Sequence, residues 1–329
     1  MSPMLRRSPK NRDVPACTRR GRRGGQEGFS LIELMISMVI ALVIVVGVLE
    51  LFVASASSER TNSTAAEIAT SGRYAIGVLR RDLQHAGFRG VTYAQPGVLT
   101  TTIPAVTGEC GAGFAINISQ RVWGNNDSNP FSATCIPTAN YLAGDILVIR
   151  RTGVSVITSL NANSLYVRSS YERGEVFRGN TPPPLFTQVP NFDYALETVV
   201  YYISPYTNAP TESPRVPALY RLEMGAGSGG PTMTPALVAS NIEDMQIQYG
   251  RTLTDLTTQY YNANNISATV TPSEWDDVKS VRIWILVRAT MPEQGYTNTA
   301  TYTLGDRTIT VNDGFRREVF SAVIQMRNL

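Results

Sequence analysis

The chain has 329 residues, 43% of them apolar and 17% charged, a composition under which most of it should fold as one large domain or two modest ones. Its formal charge of +3 is unevenly spread: residues 1–28 carry Arg6, Arg7, Lys10, Arg12, Arg19, Arg20, Arg22 and Arg23 against Asp13 and Glu27, a net of +6, and the remaining 301 residues come to −3. Beyond the leader there is thus no basic excess to suggest nucleic acid binding, and the positive cluster stands just before an apolar run, where the positive-inside rule keeps it cytoplasmic.

From Phe29 to about Ala56 the sequence reads as a helix long enough to span a bilayer, which takes about 20 apolar residues. Between Leu34 and Leu49 there is no charge, yet Glu33 stands at the head of the run. A lone carboxylate in hydrocarbon costs roughly 2.5–3.5 kcal/mol or more. As a secretory signal, the segment offers a basic n-region and an Ala54-Ser55-Ala56 cleavage site, but its apolar core is longer than usual and starts with an acid. As a plain transmembrane anchor it has the length and leaves Glu33 unexplained.

The helical pattern does not stop at Ala56. Ile68, Ala75, Ile76, Leu79 and Leu83 recur at three- and four-residue spacings, no proline occurs between Pro15 and Pro96, and Gly87 is a sensible stop. Residues 29–86 are therefore predicted as one helix, about 87 Å long at 1.5 Å per residue, apolar all round in its first half and amphipathic in its second. Residues 87–329 read as β, with strands predicted at 145–151, 154–160, 164–170, 197–204, 218–224, 243–250, 278–289 and 318–328, and a hairpin turning at Gly305-Asp306. Loops are predicted at 121–130, 181–192, 205–217 and 225–235. The stripe of the second helix half would supply the layer that packs on the sheet. Of three cysteines, Cys17 lies in the leader; if the apolar run crosses a membrane with its amino end inward, Cys110 and Cys135 face an oxidising compartment as the one available pair. The competing reading is two free buried thiols.

The stretch "GFSLIELMI" (28–36) resembles the signal of type IV prepilins and pseudopilins, in which Gly precedes Phe and Glu is the fifth residue of the mature chain. The resemblance implies cleavage between Gly28 and Phe29 by a prepilin peptidase, N-methylation of Phe29, and pairing of Glu33 with the Phe29 amine of a neighbouring subunit, so that both buried charges are compensated. "SGRYAIGVLRRDLQHAGFRG" (71–90), "LVASNIEDMQIQYG" (237–250), "WDDVKSVRIWILVRA" (275–289) and "RREVFSAVIQMRNL" (316–329) are similar to segments of the PilW family of minor pilins. The resemblance implies an α+β, pilin-like fold: a cleaved leader (1–28), a long helix (29–86) whose first half lies in the inner membrane or filament core, and a periplasmic β-rich head (87–329). It implies as partners other minor pilins, the major pilin, the prepilin peptidase and the assembly machinery, in a priming or tip complex. A pseudopilin of type II secretion and a tip adhesin are the alternatives.

Other motifs point away from catalysis. "GAGSGG" (225–230) fits G-x-G-x-x-G but is followed by "PTMTP" instead of a helix, so it reads as a flexible loop. The one histidine, His85, falls at the predicted helix end, which leaves no triad and at most one imidazole ligand. "WGNNDSNP" (123–130) has oxygen donors but not the spacing of a calcium loop, and Glu274, Asp276 and Asp277 read as an exposed loop before a strand. No enzyme activity, metal or cofactor is expected. Arg316, Arg317 and Arg327 are read either as part of a final core strand, with Val319, Ala322, Ile324 and Met326 partly buried, or as a docking patch for an acidic neighbour.

Overall fold

The computed structural model describes residues 28–98, 103, 105–269 and 273–328, so the basic leader and Cys17 lie outside the described residues. The chain divides into two compact units between Glu59 and Arg60. A single helix, α1 (Leu31–His85), runs through the span predicted as helical. In the first unit every large apolar side chain from Leu31 to Val53 is exposed, from Val46 at 47% upward. Such a surface is stable only in lipid or against other helices.

The second unit begins inside α1 and contains all the strands. These are β1 (Gly97–Val98), β2 (Val122–Asn125), β3 (Ile146–Val156), β4 (Leu165–Ser169), β5 (Gly174–Arg178), β6 (Phe192–Ser204), β7 (Ala218–Ala226), β8 (Pro231–Ser240), β9 (Ile242–Thr252), β10 (Thr258–Asn262), β11 (Val278–Arg288), β12 (Thr301–Leu304), β13 (Arg307–Thr310) and β14 (Arg317–Gln325). Eight form a branched sheet in the order β1-β5-β4-β6-β3-β2, with β7 and β8 added through β6. The branch arises because β6 is 13 residues long: its Phe192–Ala195 stretch pairs with β4, and its Val199–Ser204 stretch pairs with β7. A second, antiparallel sheet runs β10-β9-β11-β14, and β12 with β13 makes the hairpin expected at Gly305-Asp306. The arrangement is α+β and pilin-like.

Strand alternation divides the core in two. Leu147 and Ile149 of β3 and Val199, Tyr201 and Ile203 of β6 face a cluster shared with Ile68, Ala75, Leu79 and Leu83 of α1 and with Met245, Ile247, Val281, Ile283 and Ile285 of the second sheet. The intervening residues Ile146, Val148, Val200 and Tyr202 face a second cluster with Val106, Ala115, Ile118 and Ile136. A loop closed by the Cys110–Cys135 disulfide contributes to that second cluster.

Two glycines carry requirements no other residue meets. A Cβ on Gly72 would stand 2.5 Å from the Phe320 ring, so helix and terminal strand touch at a distance only glycine allows. Gly87 ends α1 with φ +75°, donates its N–H to the Arg150 carbonyl at 2.9 Å, and leaves no room beside the Asn328 carbonyl.

Several sequence expectations are corrected. The strand predicted at 154–160 does not exist separately: β3 continues through a bulge to pair Val156 with Tyr194, and residues 157–160 leave the sheet. The loop predicted at 121–130 contains β2, and the one at 225–235 is the end of β7, a turn closed by Gly227 N–H to the Gly230 carbonyl at 2.8 Å, and the start of β8. β8 holds Pro231 and Pro235 because it is an edge strand, where missing donors cost least. Glu274–Asp277 form a 3-10 turn, with Arg251 3.0 Å from Glu274 and 3.7 Å from Asp277. Arg316 pairs with Glu293, and Arg317 with Glu243 and Asp313, so these two guanidinium groups are already satisfied within the chain and do not form a docking patch. Ile324 and Met326 are buried, Val319 and Ala322 half-buried, and Arg327 is exposed.

The "NND" segment joins the second sheet instead of offering free ligands. Asp127 Oδ1 accepts from Gln246 Nε2 and from Arg307, both at 2.8 Å, and its backbone N–H donates to buried Asp145 at 2.9 Å. Burial, opposed by the N–H groups of Asp127 and Ile247, pushes the Asp145 carboxyl up to about 8. The folded state therefore holds a proton that the unfolded state has released, and stability falls as pH rises from about 4 to about 8. Asp145→Asn should flatten that slope in urea titrations of the second unit; an unchanged slope would place the pH dependence elsewhere.

Candidate processing and assembly site

Gly28, Phe29 and Ser30 precede the helix without regular structure, and all three are exposed. A Cβ at Gly28 would meet nothing within 4 Å, and Phe29 is 82% exposed. The helix then starts on a capping-box pattern, Ser30-x-x-Glu33: Ser30 Oγ accepts from the Glu33 N–H at 3.4 Å, and the Ser30 carbonyl accepts from Glu33 and Leu34 at 3.0 and 3.1 Å. Glu33 also lies in the first turn, where the helix dipole favours an anion. Among the described residues no cation pairs with its carboxylate, which leaves it available to a group from outside the chain. The spacing Ser-x-x-Glu was readable from the sequence as a helix start and supplies a second, local role for Glu33.

Of the other residues singled out in the sequence, Cys110 and Cys135 are joined. His85 ends α1, its Nδ1 2.7 Å from the Arg81 carbonyl. Sequence reasoning missed Asp82, which is 1% exposed and anchors the helix end. Its carboxylate accepts from the Tyr201 hydroxyl and from Arg151 Nη2 at 3.2 Å, and Arg151 reaches on to Glu197 at 2.7 Å. Burial first, and the Asp82 charge second, push the Tyr201 hydroxyl far above its ordinary range, so it stays a donor. The signal was present: an acid three residues beyond Leu79, on the stripe predicted to be buried.

An exposed helical segment, uncharged from Leu34 to Leu49 and headed by Ser-Leu-Ile-Glu, continues into a helix packed on a β-rich unit, an arrangement that fits a prepilin-like protein. The prokaryotic N-terminal methylation motif matches residues 23–49, and the family of type IV pilus-assembly protein W matches residues 200–328. By these two matches the chain is similar to PilW-type, prepilin-like proteins and, in general terms, to the minor pilins of the type IV pilus. The second match runs from the middle of β6 to the last described residue and so takes in the whole second sheet. Neither the comparison with curated proteins nor that with solved structures finds a match.

Proposed function

We propose that this chain works as a non-enzymatic structural subunit of a priming or tip complex, joining other minor pilins to start assembly of a type IV pilus. The observation that supports it is the combination of Glu33, which has no cation partner among the described residues and heads an exposed apolar helix, with a large second unit whose residues 200–328 match the pilus-assembly protein W family. Cleavage after Gly28 frees the Phe29 amine. That ammonium and the Glu33 carboxylate of an adjoining subunit neutralise one another as the two helices enter the same apolar layer. The stability gained by such a pair is small, whereas the loss from stranding one member is large, so it serves as a test of correct docking. A second unit running from Arg60 to Leu329 is awkward to repeat along a tightly packed shaft and easy to place once, at an end.

N-terminal sequencing of the protein extracted from membranes should give N-methylated Phe29, and Gly28→Leu should leave the leader attached. Glu33→Ala should be processed normally, yet fail to enter pili and lower their number by about tenfold or more, the scale of a stranded buried charge. A chain starting at Ser57 would overturn the processing reading. Recovery in purified pili at parity with the major subunit would overturn the tip placement, and loss of protein secretion with normal piliation would move the chain to the secretion machinery.

A further inference from the structure

A buried arginine with no counter-charge opens onto a cavity beside the disulfide-closed loop. Arg150 lies on β3, on the same face as Ile146 and Val148, and is 2% exposed. Its Nε donates to the Phe114 carbonyl at 3.1 Å, and its Nη1 donates to the backbone and side-chain oxygens of Gln120 at 3.1 and 3.2 Å. The guanidinium sits 4.6 Å over the Phe114 ring. Every one of these partners is neutral, and among the described residues no carboxylate pairs with Arg150. Three of the five N–H groups are therefore occupied, while the two on Nη2 make no hydrogen bond to any of the described residues. By contrast, the deeply set side chains of Arg168 and Arg317 each have a carboxylate within 2.7 Å.

The cavity that Arg150 lines has a volume of about 280 Å³. Phe114, Phe131 and Trp123 wall it, with ring centroids 5.3 and 5.7 Å apart in successive pairs, and Gln120 and Asn117 add polar edges. Ala112 and Asn117 are exposed and mark the mouth. Burial lowers the guanidinium to about 10, so it remains a cation at neutral pH, with no carboxylate paired to it among the described residues. The carbonyls of Phe114 and Gln120 satisfy its geometry but not its charge, which makes an anion the favoured partner for the remaining nitrogen. A single positive charge with one free nitrogen suits a monoanion better than a doubly charged phosphate. Three ring walls in a space of this size suit one ring.

We propose that this cavity binds a monocarboxylate carried on a ring, with Arg150 Nη2 holding the carboxylate and Phe114, Phe131 and Trp123 packing the ring body. The ring is either that of an aromatic acid or that of an acidic sugar. The site belongs to the second unit and does not depend on the pilus reading.

The test is calorimetric titration of the full chain in detergent micelles with benzoate and glucuronate, against benzamide, glucose and inorganic phosphate. At least one acid should bind saturably, about tenfold or more tighter than its neutral analogue and than phosphate, and which acid binds identifies the source. Ala112→Trp narrows the mouth without touching the Arg150 hydrogen bonds and should weaken binding about tenfold or more at unchanged melting temperature. Arg150→Gln should abolish it, and the Ala112 variant, which keeps the loop's hydrogen bonds, separates loss of the site from disturbance of the loop. The proposal is overturned if neither acid saturates by roughly 10 mM, if benzamide, glucose or phosphate binds as well as the acids, or if the folded Ala112→Trp protein binds like the wild type.

Discussion

A fragment beginning at residue 87 should fail to fold, and one beginning at Arg60 should fold cooperatively. The sequence marks residue 87 as the natural start of a soluble head, since Gly87 ends the helix. The structure places the boundary of the compact unit at Arg60, inside the helix. The difference is energetic. Ile68, Ile76, Val78, Leu79 and Leu83 are each 9% exposed or less and belong to the larger core cluster. Removing five such side chains forfeits roughly 8–15 kcal/mol at about 1.5–3 kcal/mol each. That is as much as the whole stability of a typical domain, about 5–15 kcal/mol. It would also expose Leu147, Ile149 and Tyr201 to water. Thermal unfolding followed by near-UV circular dichroism should show one sharp transition for 60–329 and none for 87–329. A shared transition within a few degrees would mean that the helix is dispensable to the core.

The second large effect is expected from Asp82. Asp82→Ala removes the acceptor of the Tyr201 hydroxyl, a side chain with no exposure, and one of the two carboxylates of Arg151. Glu197 still holds Arg151, so the loss should fall at the lower end of the range for a broken buried pair, about 3 kcal/mol. In a unit of this size that corresponds to a fall in melting temperature of about 6–12 °C. Asp82→Asn keeps an acceptor oxygen for Tyr201 and loses the charge facing Arg151, and should fall between alanine and wild type. If both variants melt within a degree of the wild type, helix and sheet are held by apolar packing alone.

These two cases show where sequence and structure part. The helix was readable to within two residues at each end because its signal is local and redundant: uninterrupted apolar residues, then a 3.6-residue stripe, with no proline and a terminal glycine. β9, β11 and β14 were readable through their β-branched and aromatic runs. β8 was not, because "PTMTPALVAS" has loop composition and becomes a strand only as the outer partner of β7. β5 and β10, five residues each, are too short to outweigh their flanks and owe their form to ladders with β4 and β9. The docking patch read into Arg316 and Arg317 failed for the same kind of reason: Glu243 and Glu293 lie far off in sequence and adjacent in space.

Local order along the chain was enough to show the methylation-motif match, the membrane-length helix with its acid at the head, the α+β class and the one cysteine pair beyond the leader. Each depends on near neighbours or on elimination within a short inventory, which folding cannot alter. Three features arise only when the chain is folded: the helix's second half is part of the core, Asp82 and Tyr201 meet across 119 residues, and Arg150 is buried against neutral oxygens with two N–H groups free. Those are properties of distance and dielectric. They come into being when strands separated by long loops align and exclude water, and no local pattern encodes them.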